Sequence, residues 1–298
     1  MDFLCYLKTH SMLFLIIIFS LSMPEAVFPA TDTSPVLADR EKRSIIQIAD
    51  GYVGPAGNRT LKQLRAEALK VAKRQALEQA NQFLRKKNIR EVGLEYEIIK
   101  IHPHGFVKIL NQKDSGLEDN GRYHVRIEAE VVYILKDTKG GRVQQFSELM
   151  DKADILTVRI WTDKKQYREG EPVNVYVEGN RDFNARIVKV GAKGICQLLP
   201  NNYRQVSFFK KGKTYKIPDE GDRFNLQVSQ PFGTESFVVY ATQLPMSHIN
   251  MKTIAGGLYQ YRASMPSFER SVRSGLPIGE DQTVQFYEAA WDILTLPR

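Results

Sequence analysis

The clearest hydrophobic pattern runs from Thr60 to about Lys87. Leu61, Leu64, Ala68, Val71, Ala72, Gln75, Ala76, Ala80 and Phe83 recur at steps of three and four, the spacing of one helix face. It predicts a long amphipathic helix, and Ala66, Ala68, Ala72, Ala76 and Ala80 favour helix in their own right. Asn58 or Thr60 is placed to cap its start. Ahead of it, residues 44–52 (SIIQIADGY) read as a strand, and Gly54, Pro55 and Gly57 as a loop. After it the period changes to two. In residues 93–102 apolar Leu94, Tyr96 and Ile98 alternate with charged residues and join a β-branched run, and 106–110 and 123–135 flank a Gly/Asp/Asn-rich stretch. In 123–135, Tyr123, Val125, Ile127, Ala129, Val131 and Tyr133 alternate with His124, Arg126, Glu128 and Glu130, which predicts a hairpin with one face in water.

Residues 137–141 (DTKGG) interrupt the pattern and mark a domain break. A short polar helix over 143–152 connects to a region of short strands: 155–161, 172–178, 183–190, 194–199, 214–217, 224–229 and 236–240. Turns fall between strands every 8–12 residues or so, the rhythm of a β-sandwich. Residues 246–281 are looser, with Gly256-Gly257, Pro266, Gly275, Pro277 and Gly279, and one or two helical turns over 267–273. Residues 283–295 read as a last strand returning to the sandwich. The expected fold is therefore α+β: a long N-terminal helix packed on a small antiparallel sheet (44–139), a connector (140–152) and an immunoglobulin-like β-sandwich (153–298, core 153–242).

The N-terminus carries a different pattern. Residues 12–21 (MLFLIIIFSL) are an apolar run of about ten residues, the length of a signal-peptide core; a spanning helix needs about 20. Residues 1–30 are expected to be a secretory signal cleaved between Ala26 and Ala30, with an uncleaved anchor as the alternative, and 31–43 a polar linker. Cys5 precedes the apolar run, so it is not the lipidated cysteine of a lipoprotein. With two cysteines in 298 residues, a disulfide scaffold and a thiolate zinc finger are excluded. The expected location is the periplasm or the outer membrane.

Charge adds one feature. The chain holds 42 Lys+Arg against 34 Asp+Glu, a formal +8. Between Arg59 and Arg90 ten basic residues face two acidic ones. At about 100° per residue, Arg59, Lys62, Lys70, Lys73 and Arg74 share the side opposite the apolar stripe. They are the candidate binding surface, for an anionic envelope surface or an envelope protein. A solvated helix face has the same pattern. Nucleic acid is not an expected partner of an exported chain.

Catalytic chemistry is poorly supplied. His102, His104 and His124 allow a three-histidine metal site to be drawn, but no carboxylate sits at ligand spacing. The acidic turn Asp219-Glu220-Gly221-Asp222 lacks the length of a calcium loop. Cys196 lies in the apolar setting GICQLL, without the base or cation that activates a thiol. No phosphate loop, dinucleotide fingerprint or nucleophile elbow is present. No catalytic residue, metal or cofactor is expected. An envelope enzyme at the domain junction would need two or more of Asp163, Glu169, Glu171, Asp222 and His248 in contact.

Two stretches resemble known families. Ala49-Asp50-Gly51-Tyr52, the alanine-rich helix with Arg65 and Arg74, and the hairpin ending in Tyr123-His124-Val125-Arg126-Ile127 resemble the N-terminal domain of flagellar assembly protein T and the small domain of LPP-type outer-membrane lipoproteins. This covers about residues 45–136. The run 163–173 (DKKQYREGEPV), Gly194, residues 197–201 (QLLPN), Ile217-Pro218 and 231–235 (PFGTE) resemble the bacterial family called domain of unknown function 4384, over about 153–242. In its middle strand this chain places Asn184, Ala185 and Arg186 where that family often has aliphatic or aromatic residues. The resemblance implies a bacterial module that occurs in exported proteins and, in other bacterial proteins, beside unrelated enzymatic domains, and it supplies no catalytic residues. The functional expectation is a non-catalytic envelope protein that binds or scaffolds through its basic helix and sandwich surfaces. An accessory role in flagellar or secretion-apparatus assembly is the alternative.

Overall fold

A computed structural model describes residues 40–54, 57–101, 105–138, 143–205, 207–280 and 282–298. The expected signal, residues 31–39 of the expected linker, His102, His104 and Gly140-Gly141 lie outside the described residues. The first elements in chain order are β1 (Arg40–Val53), α1 (Leu61–Arg85), β2 (Leu94–Ile98), β3 (Val107–Leu117), β4 (Tyr123–Asp137) and α2 (Val143–Lys152). Strands β5 (Val158–Thr162), β6 (Gln166–Arg168), β7 (Val175–Gly179), β8 (Phe183–Gly191), β9 (Gly194–Leu199), β10 (Phe208–Phe209), β11 (Tyr215–Ile217) and β12 (Gly233–Thr242) follow. Last come β13 (Lys252–Thr253), β14 (Tyr259–Tyr261), α3 (Met265–Arg273) and β15 (Thr283–Leu296). The chain is thus a mixture of helices and largely antiparallel sheet. None of the described helices is long and apolar enough to cross a membrane.

Helix α1 starts where its sequence supplies a reciprocal cap. The Gln63 amide donates to Thr60 Oγ1 at 3.3 Å and the Thr60 amide to Gln63 Oε1 at 2.8 Å, satisfying two otherwise unpaired donors. Its buried residues are Leu64, Ala68, Ala72, Ala76, Ala80 and Leu84, a strict four-residue repeat. Leu61, expected in the stripe, is 60% exposed. The small side chains let the helix descend onto β1: a Cβ at Gly51 would lie 1.9 Å from the Ala68 carbonyl oxygen. Buried Gln47 of β1 donates to the Ala76 carbonyl, and Gln75 Oε1 accepts the Asp50 amide at 2.9 Å. Gln75 belongs to the inward face for that polar reason.

The two expected domains share one sheet. Its main path is β13-β14-β9-β8-β12-β15-β1-β4-β2, with β10, β3 and β6 pairing β8, β4 and β15. β15 is the joint: Gly233–Thr242 of β12 pairs along one edge of it, and residues 40–47 of β1 along the other. The described residues fall within a single compact unit. The Gly-rich break near 140 therefore does not divide the core, because β15, at the far end of the sequence, closes the sheet across it. Asp154 reinforces the junction by pairing with Lys87 beyond α1 and with Arg181 at 2.5 Å.

Strand alternation assigns the two faces. One face carries Ile45, Ala49, Val125 and Ile127 under α1. It continues as Tyr287, Ala289, Phe237 and Val239 under a three-stranded sheet of order β11-β7-β5. The opposite face carries Ile46, Val188, Tyr240 and Phe286, packed by Phe268 and Val272 of α3 and by Ile249 and Leu276. The looser stretch 246–281 is thus the cover of that second face. The expected strand 224–229 does not form. Its backbone bonds to the Gly170 turn instead, through Val173 N to Leu226 O and Gly170 N to Val228 O at 2.9 Å, and a tight turn offers no ladder to extend.

Candidate functional site

A four-residue step turns a helix about 400°, so a stripe buried at every fourth residue winds about 40° per step. It follows the twist of the sheet beneath it. The residues two positions on, about 200° away, wind with it: Lys62, Ala66, Lys70, Arg74, Glu78, Gln82 and Lys86, all of them exposed. This outward ridge separates the five candidates. Lys62, Lys70 and Arg74 lie on it. Lys73 lies on the flank and is half-buried. Arg59 precedes the helix, pairs with Glu67 at 2.7 Å and donates to the Gly54 carbonyl at 3.2 Å, so it fastens the loop. Arg74 and Glu78 stand 4.0 Å apart. Lys62, Lys70 and Lys86 make no ion pair among the described residues. A straight-wheel reading overlooks Lys86; its offset of two from the buried repeat is the signal that finds it.

The expected wet face of β4 is largely covered. Glu130 is fully buried, with Arg273 Nε and Lys42 Nζ each 3.0 Å away and Lys108 at 3.8 Å. Arg273, itself fully buried, also pairs with Glu288 and donates to the Glu269 carbonyl at 2.9 Å. Burial would raise the Glu130 carboxyl, but Arg273 and Lys42 outweigh it and hold it low. Burial prevails at Glu288, which is raised despite Arg273.

A second cluster lies farther along the same strand. His124 Nε2 is 2.6 Å from Asp50 Oδ1, and its Nδ1 is 3.1 Å from Glu118. Arg126 donates to both Asp50 oxygens, at 2.9 and 3.2 Å. Burial works against the Asp50 charge, yet the bonds from Arg126 and His124 keep its carboxyl below the usual range. Both His124 ring nitrogens are engaged by carboxylates, and Tyr52 stacks on the ring at 4.3 Å; the other two histidines of the drawn site, His102 and His104, lie outside the described residues.

Of the candidate catalytic acids, the Asp163, Glu171 and Asp222 carboxylates go to separate structural tasks, while Glu169 is held through its backbone. Asp163 accepts the Tyr167 hydroxyl at 2.6 Å. Glu171 accepts from Lys164 at 3.0 Å and from the Arg168 amide at 2.8 Å. The Glu169 amide bonds the Leu296 carbonyl. Asp219 and Asp222 both bind Arg204, at 2.9 and 2.8 Å, so a guanidinium sits where a calcium ion would. Burial pushes the half-buried Cys196 thiol up, which leaves it a weak nucleophile. His248 stands apart, beside a cavity under β8.

These motifs coincide with a family match. Residues 166–245, about a quarter of the chain, match the family described as Domain of unknown function (DUF4384). No curated protein matches the chain.

Proposed function

We propose that the protein is a non-catalytic binding or scaffolding component of the bacterial envelope, which docks on an anionic lipid surface through the outward ridge of α1. The observation that carries this reading is the ridge itself. Lys62, Lys70, Arg74 and Lys86 extend over roughly 36 Å, at 1.5 Å per residue, and three of the four lack an ion-pair partner among the described residues. The buried Glu130 and Arg273, by contrast, are closely paired. Because the ridge winds about 40° per step, Lys62, Lys70 and Arg74 fall within an arc of about 120°. Flexible cations on such an arc suit a delocalised anionic surface better than a compact ligand, and each Lys or Arg near such a surface contributes about 1 kcal/mol. The immunoglobulin-like reading of the C-terminal half and the exported address belong to the same proposal. A second reading, an accessory factor of flagellar or secretion-apparatus assembly, rests on the resemblance of residues 45–136.

Co-sedimentation with vesicles tests the docking. Binding to phosphatidylglycerol vesicles should fall steeply between about 0.1 and 1 M salt, where the screening length shrinks from about 10 to 3 Å, and should be absent on phosphatidylcholine. A K62Q/K70Q/R74Q/K86Q variant should lose it. Equal binding by parent and variant at low salt would overturn the lipid reading, as would retention of the parent by envelope proteins alone.

A further inference from the structure

Arg186 is a cation placed where the surrounding chain supplies no anion. It lies on β8, 4% exposed. Its Nη2 donates to the Ser247 carbonyl at 2.9 Å and its Nη1 to Gln197 Oε1, while Nε has no partner. No carboxylate among the described residues pairs with it. Burial alone accounts for a guanidinium pKa pulled down to about 10. The other deeply buried guanidinia are treated differently: Arg273 has Glu130 and Glu288, and Arg43 has Glu41 at 2.7 Å. A buried charge without a counter-charge is costly. Its retention in a core strand calls for something that compensates it.

The space for that compensation is present. Arg186 lines a cavity of about 210 Å³. Gln197 is its other buried polar member; Met246 and Met251 add apolar wall, and Ser247 and His248 are exposed members. At about 30 Å³ per water, this volume holds roughly seven waters or a ligand of similar size. Its wall joins the family-matched segment to residues 246–251, which lie beyond the match.

We propose that this cavity binds a small monocarboxylate, whose carboxylate pairs with Arg186 and whose short apolar body lies against Met246 and Met251. The planar guanidinium fork matches a carboxylate. A phosphate dianion would call for a second strong cation, and no Lys or further Arg lines the cavity. This site is independent of the α1 ridge and of the lipid docking.

Calorimetric titration of the full chain with sodium butyrate tests the assignment, with butyramide and inorganic phosphate as comparison arms at matched sodium concentration. Butyrate should bind saturably, in the millimolar range or tighter for a ligand of this size, and its neutral isostere should not. R186M should weaken butyrate at least tenfold. M251W, which fills the cavity and leaves the charge in place, should do the same and decides the matter if R186M fails to fold. Equal binding of butyramide, phosphate binding in place of butyrate, undiminished binding in either folded variant, or no butyrate binding at all would overturn the proposal.

Discussion

Arg273 Nε of α3 donates to Glu130 Oε1 of β4 at 3.0 Å, and neither side chain has solvent-accessible surface. The two residues are 143 positions apart. Their contact ties the glycine-rich stretch 246–281 to the N-terminal half of the sheet. Removing one partner of a buried ion pair costs more than the pair contributes, because the other charge stays desolvated. R273M should lose about 3 kcal/mol in urea unfolding, since Glu288 and Glu269 lose their cation as well. E130L/R273L should recover part of that loss, because Lys42 and Lys108 are about one-third exposed and can turn to water. A double-mutant cycle without coupling would mean that the contact is incidental.

Two carboxyls on the same face should give opposite pH trends. The folded Asp50 carboxyl lies below its ordinary value of 3.8, held there against burial by Arg126 and His124. Its stabilisation is present above that value and is lost as pH falls through the folded pKa. Glu128 is the reverse. Burial raises it above 4.5, and the Gly275 amide at 3.4 Å only partly offsets this. Its ionisation penalty appears as pH rises through 4.5 to the folded pKa. Denaturation at pH 3 and pH 7 should show D50N costing more at pH 7, and E128Q gaining stability relative to the parent at pH 7.

The approach of α1 to β1 leaves no room for a methyl group. A Cβ on Gly51 would meet the Ala68 carbonyl oxygen at 1.9 Å and the Ala72 amide nitrogen at 2.7 Å. These are backbone atoms, which no rotamer change can move aside. G51A should therefore cost at the upper end of overpacking effects, about 3 kcal/mol, seen as a lower urea midpoint. On the other side of the helix, K62Q or K70Q should each change stability by less than about 0.5 kcal/mol.

Helix α1 was legible in the sequence because its burial repeats every four residues and Thr60 and Gln63 carry the cap. The face of β4 was not. His124, Arg126, Glu128 and Glu130 alternate with apolar residues in the same way whether water or a charged cover lies above them. Only Arg273 distinguishes the two cases, and it sits in a segment without a long period. Arg186 was visible as a departure from the family pattern, but its lack of a counter-charge depends on Ser247 and Gln197, which folding brings to it. The span of the sheet was hidden for a similar reason. β15 alternates on both faces, and nothing in one strand's own residues says how many neighbours it has.

That hidden joint makes the last prediction. If 44–139 and 153–298 were separate domains, cutting between Thr138 and Val143 would release them. In the structure β1 and β15 pair over eight residues, Arg40 with Ala290 through Gln47 with Thr283. The second face adds Ile46 to Phe286 and Ala290, and two ion pairs cross the cut, Lys87 with Asp154 and Glu130 with Arg273 at 3.0 Å. A protease site inserted between Thr138 and Val143 should therefore yield two fragments that co-elute on gel filtration and separate only in denaturant. The fragment 143–298 expressed alone would expose the β15 edge normally covered by β1, and unpaired edges recruit other chains. It should aggregate, or remain soluble only when residues 40–138 are supplied in trans. Two fragments that part under native conditions, each unfolding cooperatively, would show that the β1–β15 ladder adds little to the stability of either half.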